Sequence, residues 1–475
     1  MQEIDKKTFD LAVIGGGVVG CVILRAFTLA GASSVLLERG ADILSGASKG
    51  NSAILHTGFD APTASLEHRC LRDGYKEYLQ IHQKLNLPLV KSSALMVAWT
   101  DEQNQKLPGI VGKAHANGVA DVTLISLDEL RRREPNLSPA AKGAVHIPGE
   151  GFIDPWSTPL AYVHQALANG AKVYGFCEVR GGEFNNDLWR LKTPRGTIKA
   201  RTVVNCAGNF GDRVEEINRP SPFQIRPRKG QFLVYDKSAA DLFNSIILPV
   251  PDKRSKGVLI FRSVFGNVLV GPTAEDQKDR ELAEVTEDVL RRLKKVGESI
   301  LPNLVEQNII ATFAALRPAT QFNDYQIEAM PGRGWITVGG IRSTGLSSSL
   351  GIAKYLLRLY EEKFGNLVPL KQIKWTRVPN LAEHLPRPFQ QPNAGEVVCF
   401  CEMVTRQEIE DTFSSIFPPG DMGGLKRRTR CSMGRCQGYY CGHKVTRLVQ
   451  GRLKTSARFS HGSELLKNKA LINSS

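Results

Sequence analysis

The order of apolar and polar positions divides the chain into stretches of different texture. Phe9–Ile14 (FDLAVI) is a short continuous apolar run, the pattern of a buried strand. The turn G-G-G-V-V-G, Gly15 to Gly20, follows, and an apolar helix is predicted from there to about Ala30. Ser34–Leu37 (SVLL) predicts a second strand, ending at Glu38. The three elements make a βαβ unit. Strand signals recur at Thr202–Asn205 and Trp335–Val338, so the same sheet is expected to be assembled from distant pieces, about 1–85, 150–220 and 331–365. Between them, about 86–149 and 221–330 alternate short strands, such as Gly230–Tyr235 and Asn267–Gly271, with helices such as 282–300. They predict an inserted domain built on an antiparallel sheet. A proline-punctuated stretch with little periodicity predicts a linker over 366–394. A small helical module over 395–450 and a basic tail over 451–475 complete the chain, which has no internal repeat. The fold class expected is α/β (α+β), with a Rossmann-like nucleotide-binding domain.

Composition changes this picture in two places. The start, MQEIDKKTFD, has no apolar export core, and no run of eighteen apolar residues exists. A cytoplasmic location follows as the expectation, and cysteines gathered in a reducing compartment bind metal more often than they pair. Five of the nine, Cys399, Cys401, Cys431, Cys436 and Cys441, lie in the C-terminal module. Part of the net charge of +15 is local to this module, at Lys426, Arg427, Arg428, Arg430 and Arg435 and along the tail. It fits a solvated basic face, or attraction to an acidic redox partner or to the inner face of a membrane as a peripheral protein. Nucleic acid is excluded as a partner, because no aromatic-interleaved basic motif accompanies the charge.

Gly15, Gly17 and Gly20 form G-x-G-x-x-G between a strand and a helix. The first glycine permits the tight turn, the second lets backbone approach a pyrophosphate, and the third allows close helix–strand packing. Glu38 ends the second strand, where an acid hydrogen-bonds ribose hydroxyls. The hydroxyl- and glycine-rich Ser45–Gly58 loop favours an extended FAD over NAD, because a long cofactor needs contacts along its length. Val204–Asn209 and Gly340–Leu346 are two further strand-to-glycine turns, the latter opening a helix. The residues expected to bind the cofactor are Gly15, Gly17, Gly20, Glu38, Arg39, Ser48, Asn51, Ser52, Val179, Gly208, Gly340, Gly345 and Leu346.

The residues G-G-G-V-V-G, G-N-S-A-I-L-H-T-G (50–58), G-F-I-D-P-W (151–156), N-C-A-G (205–208) and G-I-R-S-T-G-L (340–346) carry a resemblance. Over about 1–365 the chain resembles FAD-dependent oxidoreductases of the D-amino-acid-oxidase and glycerol-3-phosphate-dehydrogenase superfamily. The resemblance implies that His56 lies beside the flavin and takes a hydroxyl proton as hydride leaves for the flavin. It implies that Arg317 anchors the substrate's anionic group, where a guanidinium suits carboxylate or phosphate. Arg342 is a secondary substrate anchor, and Lys229 is either a further anchor or a solvated residue at the start of a strand. Asp154 and Trp156 are expected to fix a turn and pack.

The segment C-F-C-E-M-V-T-R-Q-E-I-E, followed by C-S-M-G-R-C-Q-G-Y-Y-C, resembles the bacterioferritin-associated-ferredoxin-like [2Fe–2S] domain, in particular the version fused to glycerol-3-phosphate dehydrogenases. The resemblance assigns Cys399, Cys401, Cys436 and Cys441 as ligands. Cys431 departs from the family pattern as a spare thiol or a competing ligand. Zinc is the alternative metal, disfavoured because C-x-C is tighter than its usual C-x₂₋₄-C pairs. The implied activity is oxidation of a small anionic alcohol, with glycerol 3-phosphate favoured over 2-hydroxy acids, amines and amino acids. Electrons would leave through the cluster to a partner subunit, quinone or other acceptor. The rival readings are a peroxide-forming oxidase and a non-catalytic electron-relay subunit.

Overall fold

The computed structural model describes residues 4–5, 7–251 and 257–455. These residues form two compact units, one ending at Arg387 and one starting at Pro388.

The first unit is built on the predicted βαβ element: β1 (Thr8–Ile14), α1 (Val18–Leu29) and β2 (Ser34–Leu37). β3 (Lys172–Tyr174) joins β2, and β4 (Gly196–Asn205) joins β1 in register from Thr8↔Lys199 to Ile14↔Asn205. β5 (Trp335–Gly339) joins the last residues of β4. The order β3-β2-β1-β4-β5 is parallel throughout, so all five strands end on one edge, where such sheets bind ligands. A hairpin, Gly181–Asn185 with Leu188–Thr193, caps the first half of β4, and Gln326–Met330 runs antiparallel on β5. α1 is apolar nearly all round because it is buried between the sheet and two helices, Ser157–Ala168 and α2 (Gly345–Phe364). The helix Leu66–Ile81 crosses α2 at two glycines. A Cβ on Gly74 would lie 2.3 Å from the Ser347 carbonyl oxygen, and one on Gly351 would lie 2.0 Å from that of Cys70. Glycine at both positions brings the start of α2 close to its neighbour, and that start borders the site described below.

A second sheet of nine strands is inserted. Its long pair is Arg226–Tyr235 against Ile309–Ala319, antiparallel from Arg226↔Ala319. The other strands are also antiparallel, except that Ala94–Ala98 runs parallel to Ile246–Pro249. The sheet is therefore mixed at that one pair. Strand alternation divides its side chains between two cores. Met96, Phe232 and Phe261 face one core, with Phe232 stacked on Phe313 at 4.6 Å; Leu95, Leu233 and Val270 face the other, under helix Glu287–Ile300.

The segment expected as a linker differs from that expectation. Residues 366–387 belong to the first unit, which they cross as a strap. Leu370 N donates to Leu29 O, Val378 N to Leu85 O and Glu383 N to Val264 O. Leu381 and Ala382 are buried in the apolar core, and the Arg387 side chain is buried against Glu383.

The second unit contains a short hairpin, Val397–Cys399 with Val404–Thr405, and helices Arg406–Ser414, Met422–Thr429 and Gly442–Val449. Thr405 and Glu408 close a capping box on the first helix. Val398, Val404, Ile409, Leu425, Val445 and Val449 make its core. The basic tail beyond Thr455 lies outside the described residues. No helix among the described residues is long and apolar enough to cross a membrane.

Candidate active site

The carboxyl edge of the parallel sheet opens into a cavity of about 1130 Å³ that continues under the inserted sheet. Its first end is made of backbone. Gly15 has φ +106°, and a Cβ there would lie 2.6 Å from the Cys206 carbonyl oxygen. A Cβ on Gly20 would lie 1.9 Å from Gly15 O, so this glycine does not line the cavity but lets α1 start directly beneath the turn. Gly17 is the N-cap of α1, and the next amide, Val18 N, donates to Ser48 Oγ at 3.0 Å. Glu38 accepts from Gly16 N and Gly40 N, both at 2.7 Å. Burial pushes its carboxyl up, against the pull of those two amides. Arg39 stacks over Phe210 at 4.0 Å and pairs with Glu281 at 3.0 Å.

Asn51 folds its own loop, donating to Ser48 O and accepting from Ala53 N. Asn51, Ser52, Val179 and Gly208 all border the cavity. The second and third glycine turns close it. Gly340 has φ +70°, and Thr344, at φ +60°, is the left-handed N-cap of α2. Thr344 Oγ1 donates to Glu67 Oε1 and lies 2.8 Å from the buried Tyr325 hydroxyl, which braces the turn. Gly345 and Leu346 therefore present the positive end of α2 to the cavity.

The rest of the wall is made of side chains. His56 Nδ1 lies 2.8 Å from Glu150 Oε2, and His56 N donates to Ser347 Oγ at 2.9 Å. Glu150 is fully buried and also accepts from Thr57 N at 2.7 Å and Thr57 Oγ1 at 2.9 Å. Arg317 donates from Nη2 to Thr273 O at 2.7 Å and to Lys229 O at 3.3 Å, and from Nε to Arg228 O at 3.3 Å. Burial, with the Arg228 charge next to it, brings its guanidinium down to about 10, so it remains a cation at neutral pH. Arg342 donates to Asn323 O at 2.8 Å and also borders the cavity.

Lys229 is not brought to this wall. Its ammonium donates to Glu284 O at 3.1 Å and pairs with Glu275 at 3.6 Å. The reason is strand alternation: Arg228, Gly230 and Phe232 face the cavity, so the odd positions face the other way. Asp154 does fix a turn: its Oδ1 accepts from Trp156 N and Ser157 N at the head of helix Ser157–Ala168. The sequence reading missed Glu150. The signal available was an acid between two glycines, G-E-G, next to the G-F-I-D-P-W segment.

In the second unit the sulfurs meet two by two. Cys399 shares a hydrogen bond with Cys441, and Cys401 shares one with Cys436. The thiol of Cys399 and the Ser432 hydroxyl, 3.3 Å away, hold Cys441 down to about 7, while the shared proton and burial push Cys399 up. Cys431 lies in the core, where burial pushes it up to about 12. Among the described residues, no three His, Cys, Asp or Glu side chains converge as a site for a single metal ion.

Comparison with known proteins completes the picture. The profile of the DAO family, FAD dependent oxidoreductase, matches residues 10–359. A glycerol 3-phosphate dehydrogenase of Caloramator mitchellensis is 31% identical over 454 residues, covering 94% of each chain. One of the subunits of the anaerobic glycerol-3-phosphate dehydrogenase of Haemophilus influenzae is 24% identical, over 94% of this chain and 85% of its own. The solved structure of the FAD-bound L-alpha-glycerophosphate oxidase of Mycoplasma pneumoniae superimposes with a TM-score of 0.73 at 25% identity, over 79% of this chain and all of its own. With a parallel sheet ending in three glycine turns and a profile match spanning most of its length, the chain belongs to the FAD-dependent oxidoreductase (DAO) family.

Proposed function

We propose that this enzyme oxidises glycerol 3-phosphate to dihydroxyacetone phosphate and passes the electrons on through its C-terminal module. The observation that carries the reading is one cavity lined both by the three glycine turns and by His56 and Arg317. The dehydrogenase relative covering 94% of each chain supports the substrate.

The cavity fits an extended dinucleotide: three turns offer backbone amides, and Glu38 stands at the end of β2 with lone pairs for ribose hydroxyls. Gly15, Gly17, Ser48, Asn51, Ser52, Gly208, Gly340, Gly345 and Leu346 are the residues that would hold FAD, with Arg39 and Val179 beside them. When bound, the flavin supplies a two-electron acceptor for the hydride on the substrate's secondary carbon. The chain's own residues do the rest. His56 takes the hydroxyl proton, so that the alcohol loses one hydride and one proton and becomes a ketone. Arg317, held by three backbone carbonyls, anchors the phosphate, and Arg342 is the second anchor.

Cys399, Cys401, Cys436 and Cys441 fit a [2Fe–2S] cluster, because two pairs of soft sulfur donors from two loops match an all-thiolate ligand set. The cluster would supply one-electron relay. The oxidase structure is matched over its whole length by 79% of this chain, whereas the Caloramator dehydrogenase reaches 94%. The additional length therefore accompanies a relative named a dehydrogenase, which supports an acceptor other than oxygen. The corresponding assembly proposals are association with the inner membrane face and with a partner subunit.

Anaerobic addition of glycerol 3-phosphate should bleach the flavin absorbance. No bleaching with it, but bleaching with 2-hydroxyglutarate or an amino acid, would overturn the substrate. Flavin reduction should fall about 10²- to 10⁴-fold in His56→Ala. Stoichiometric peroxide in air would restore the oxidase reading.

A further inference from the structure

His56 lies on the cavity wall, but a histidine is a useful base only in the correct tautomer and orientation. The group that fixes both is Glu150. Its carboxylate is fully buried, and two donors of Thr57 and the ring of His56 meet it. Thr57 donates twice to Oε1, from its backbone N–H at 2.7 Å and its hydroxyl at 2.9 Å. Oε2 is then the oxygen that meets the imidazole, 2.8 Å from Nδ1. On the other side, the His56 amide is tied to Ser347 Oγ, which itself donates to Ile54 O. The backbone of His56 is thus held from α2 and its ring from the loop before strand Gly151–Ile153.

We propose that Glu150 is a positioning residue for proton transfer: its buried carboxylate accepts the Nδ1 proton of His56 and thereby makes Nε2 the basic nitrogen. The inference rests on the reading of His56 as the base. Glu150 does not touch substrate. Its effect passes through the imidazole in two ways. An ionised carboxylate only accepts, so it selects the tautomer protonated at Nδ1. It also steadies the imidazolium formed after the hydroxyl proton has moved, while the two Thr57 bonds keep the carboxylate from turning away.

The geometry gives a clean substitution. Glu150→Gln is isosteric, and its amide oxygen can still accept from both Thr57 donors. Its NH₂ then faces Nδ1 as a donor, which forces the imidazole proton onto Nε2 and removes the base. Glu150→Asp keeps the charge but shortens the reach. Three measurements on full-length protein test this. The first is the ¹⁵N NMR signature of histidine-labelled protein. The His56 resonances, assigned by their loss in His56→Ala, should report a proton on Nδ1 in the parent and on Nε2 in Glu150→Gln. The second is anaerobic flavin reduction by glycerol 3-phosphate. Its limiting rate should fall at least about 100-fold in Glu150→Gln, with half-saturation changed less than about threefold. The third is rescue, with Glu150→Asp recovering a substantial part of the lost rate.

A Gln variant with the parent tautomer, or one that loses flavin and thermal stability together with rate, would show a purely structural role and overturn the proposal. If glycerol 3-phosphate is not the substrate, the rate comparison transfers to whichever donor bleaches the flavin. If His56→Ala leaves reduction unchanged, the base reading fails by itself, and the tautomer measurement still decides the Glu150–His56 coupling.

Discussion

The two units gather their chemical groups in opposite ways. In the first, the cavity draws on residues from Ile14 to Ser347, and its glycine turns offer main chain. Turns there require glycine, because a Cβ would strike another backbone, as at Gly20, 1.9 Å from Gly15 O. In the second, four thiols come from one short stretch, Cys399 to Cys441, and meet pairwise. The contrast teaches where each site is fragile. A backbone site is lost when the chain path changes, and a side-chain site is lost when one donor is removed.

The harshest test of that contrast is Gly20→Val. The added atoms meet backbone that cannot move aside, so the turn and the start of α1 must separate. Flavin content of the purified protein should fall below about a tenth of the parent's, since 1.4 kcal/mol of lost binding already makes tenfold. Visible absorbance from the cysteine module should persist. Loss of both chromophores would mean that the units do not hold their cofactors independently.

The converse substitution is Cys401→Ser. It should abolish the iron–sulfur absorbance and multiple turnover with one-electron acceptors, while substrate still bleaches the flavin in one anaerobic addition. Cys431→Ser is its control. That thiol is buried in the apolar core and held protonated by burial, so its loss should leave the absorbance intact. If the Cys431→Ser protein is colourless in that range, the ligand assignment is wrong.

Arg317→Gln separates binding from chemistry at the side-chain end of the cavity. A charge-assisted contact is worth about 1.5–3 kcal/mol, so half-saturation by glycerol 3-phosphate should rise about 10- to 150-fold. The limiting rate should move less, and a neutral donor such as glycerol should not feel the change. Because the depressed guanidinium titrates near 10, parent affinity should be constant near neutral pH and fade as pH rises through about 10. A flat affinity profile in that range would remove Arg317 from the anion site.

How much of this could be read from the sequence follows the same division. The glycine turns were legible because a strand–glycine–helix order states a backbone requirement locally. His56 was legible through its neighbours, H-T-G. Glu150 was not, because its partner lies 94 positions away and nothing within G-E-G distinguishes a buried acid from a turn acid. For Lys229 the sequence left two readings open, a substrate anchor or a solvated strand start, and the strand turns it away from the cavity wall. Only the pairing Arg228↔Arg317 fixes which alternate positions meet the cavity, and register is a tertiary fact. The strap over 366–387 was read as a linker for a related reason. Main-chain bonds hold much of it, such as Leu370 N to Leu29 O, and main-chain bonds leave no periodicity in the sequence.

The strap supplies the mildest test. Gly31 has φ +97°, and a Cβ there would lie 2.0 Å from the Val368 carbonyl oxygen. Gly31→Ala must therefore strain a left-handed residue and push the strap off the end of α1. The first effect alone costs about 1–2 kcal/mol. The melting temperature should drop by a few degrees, and trypsin should cut sooner at Lys371 or Lys374. Flavin reduction should change less than about twofold, because no strap residue borders the cavity among the described residues. A rate loss as large as that expected for Arg317→Gln would instead tie the strap to the active site. The backbone-built part of the molecule would then extend well past the glycine turns.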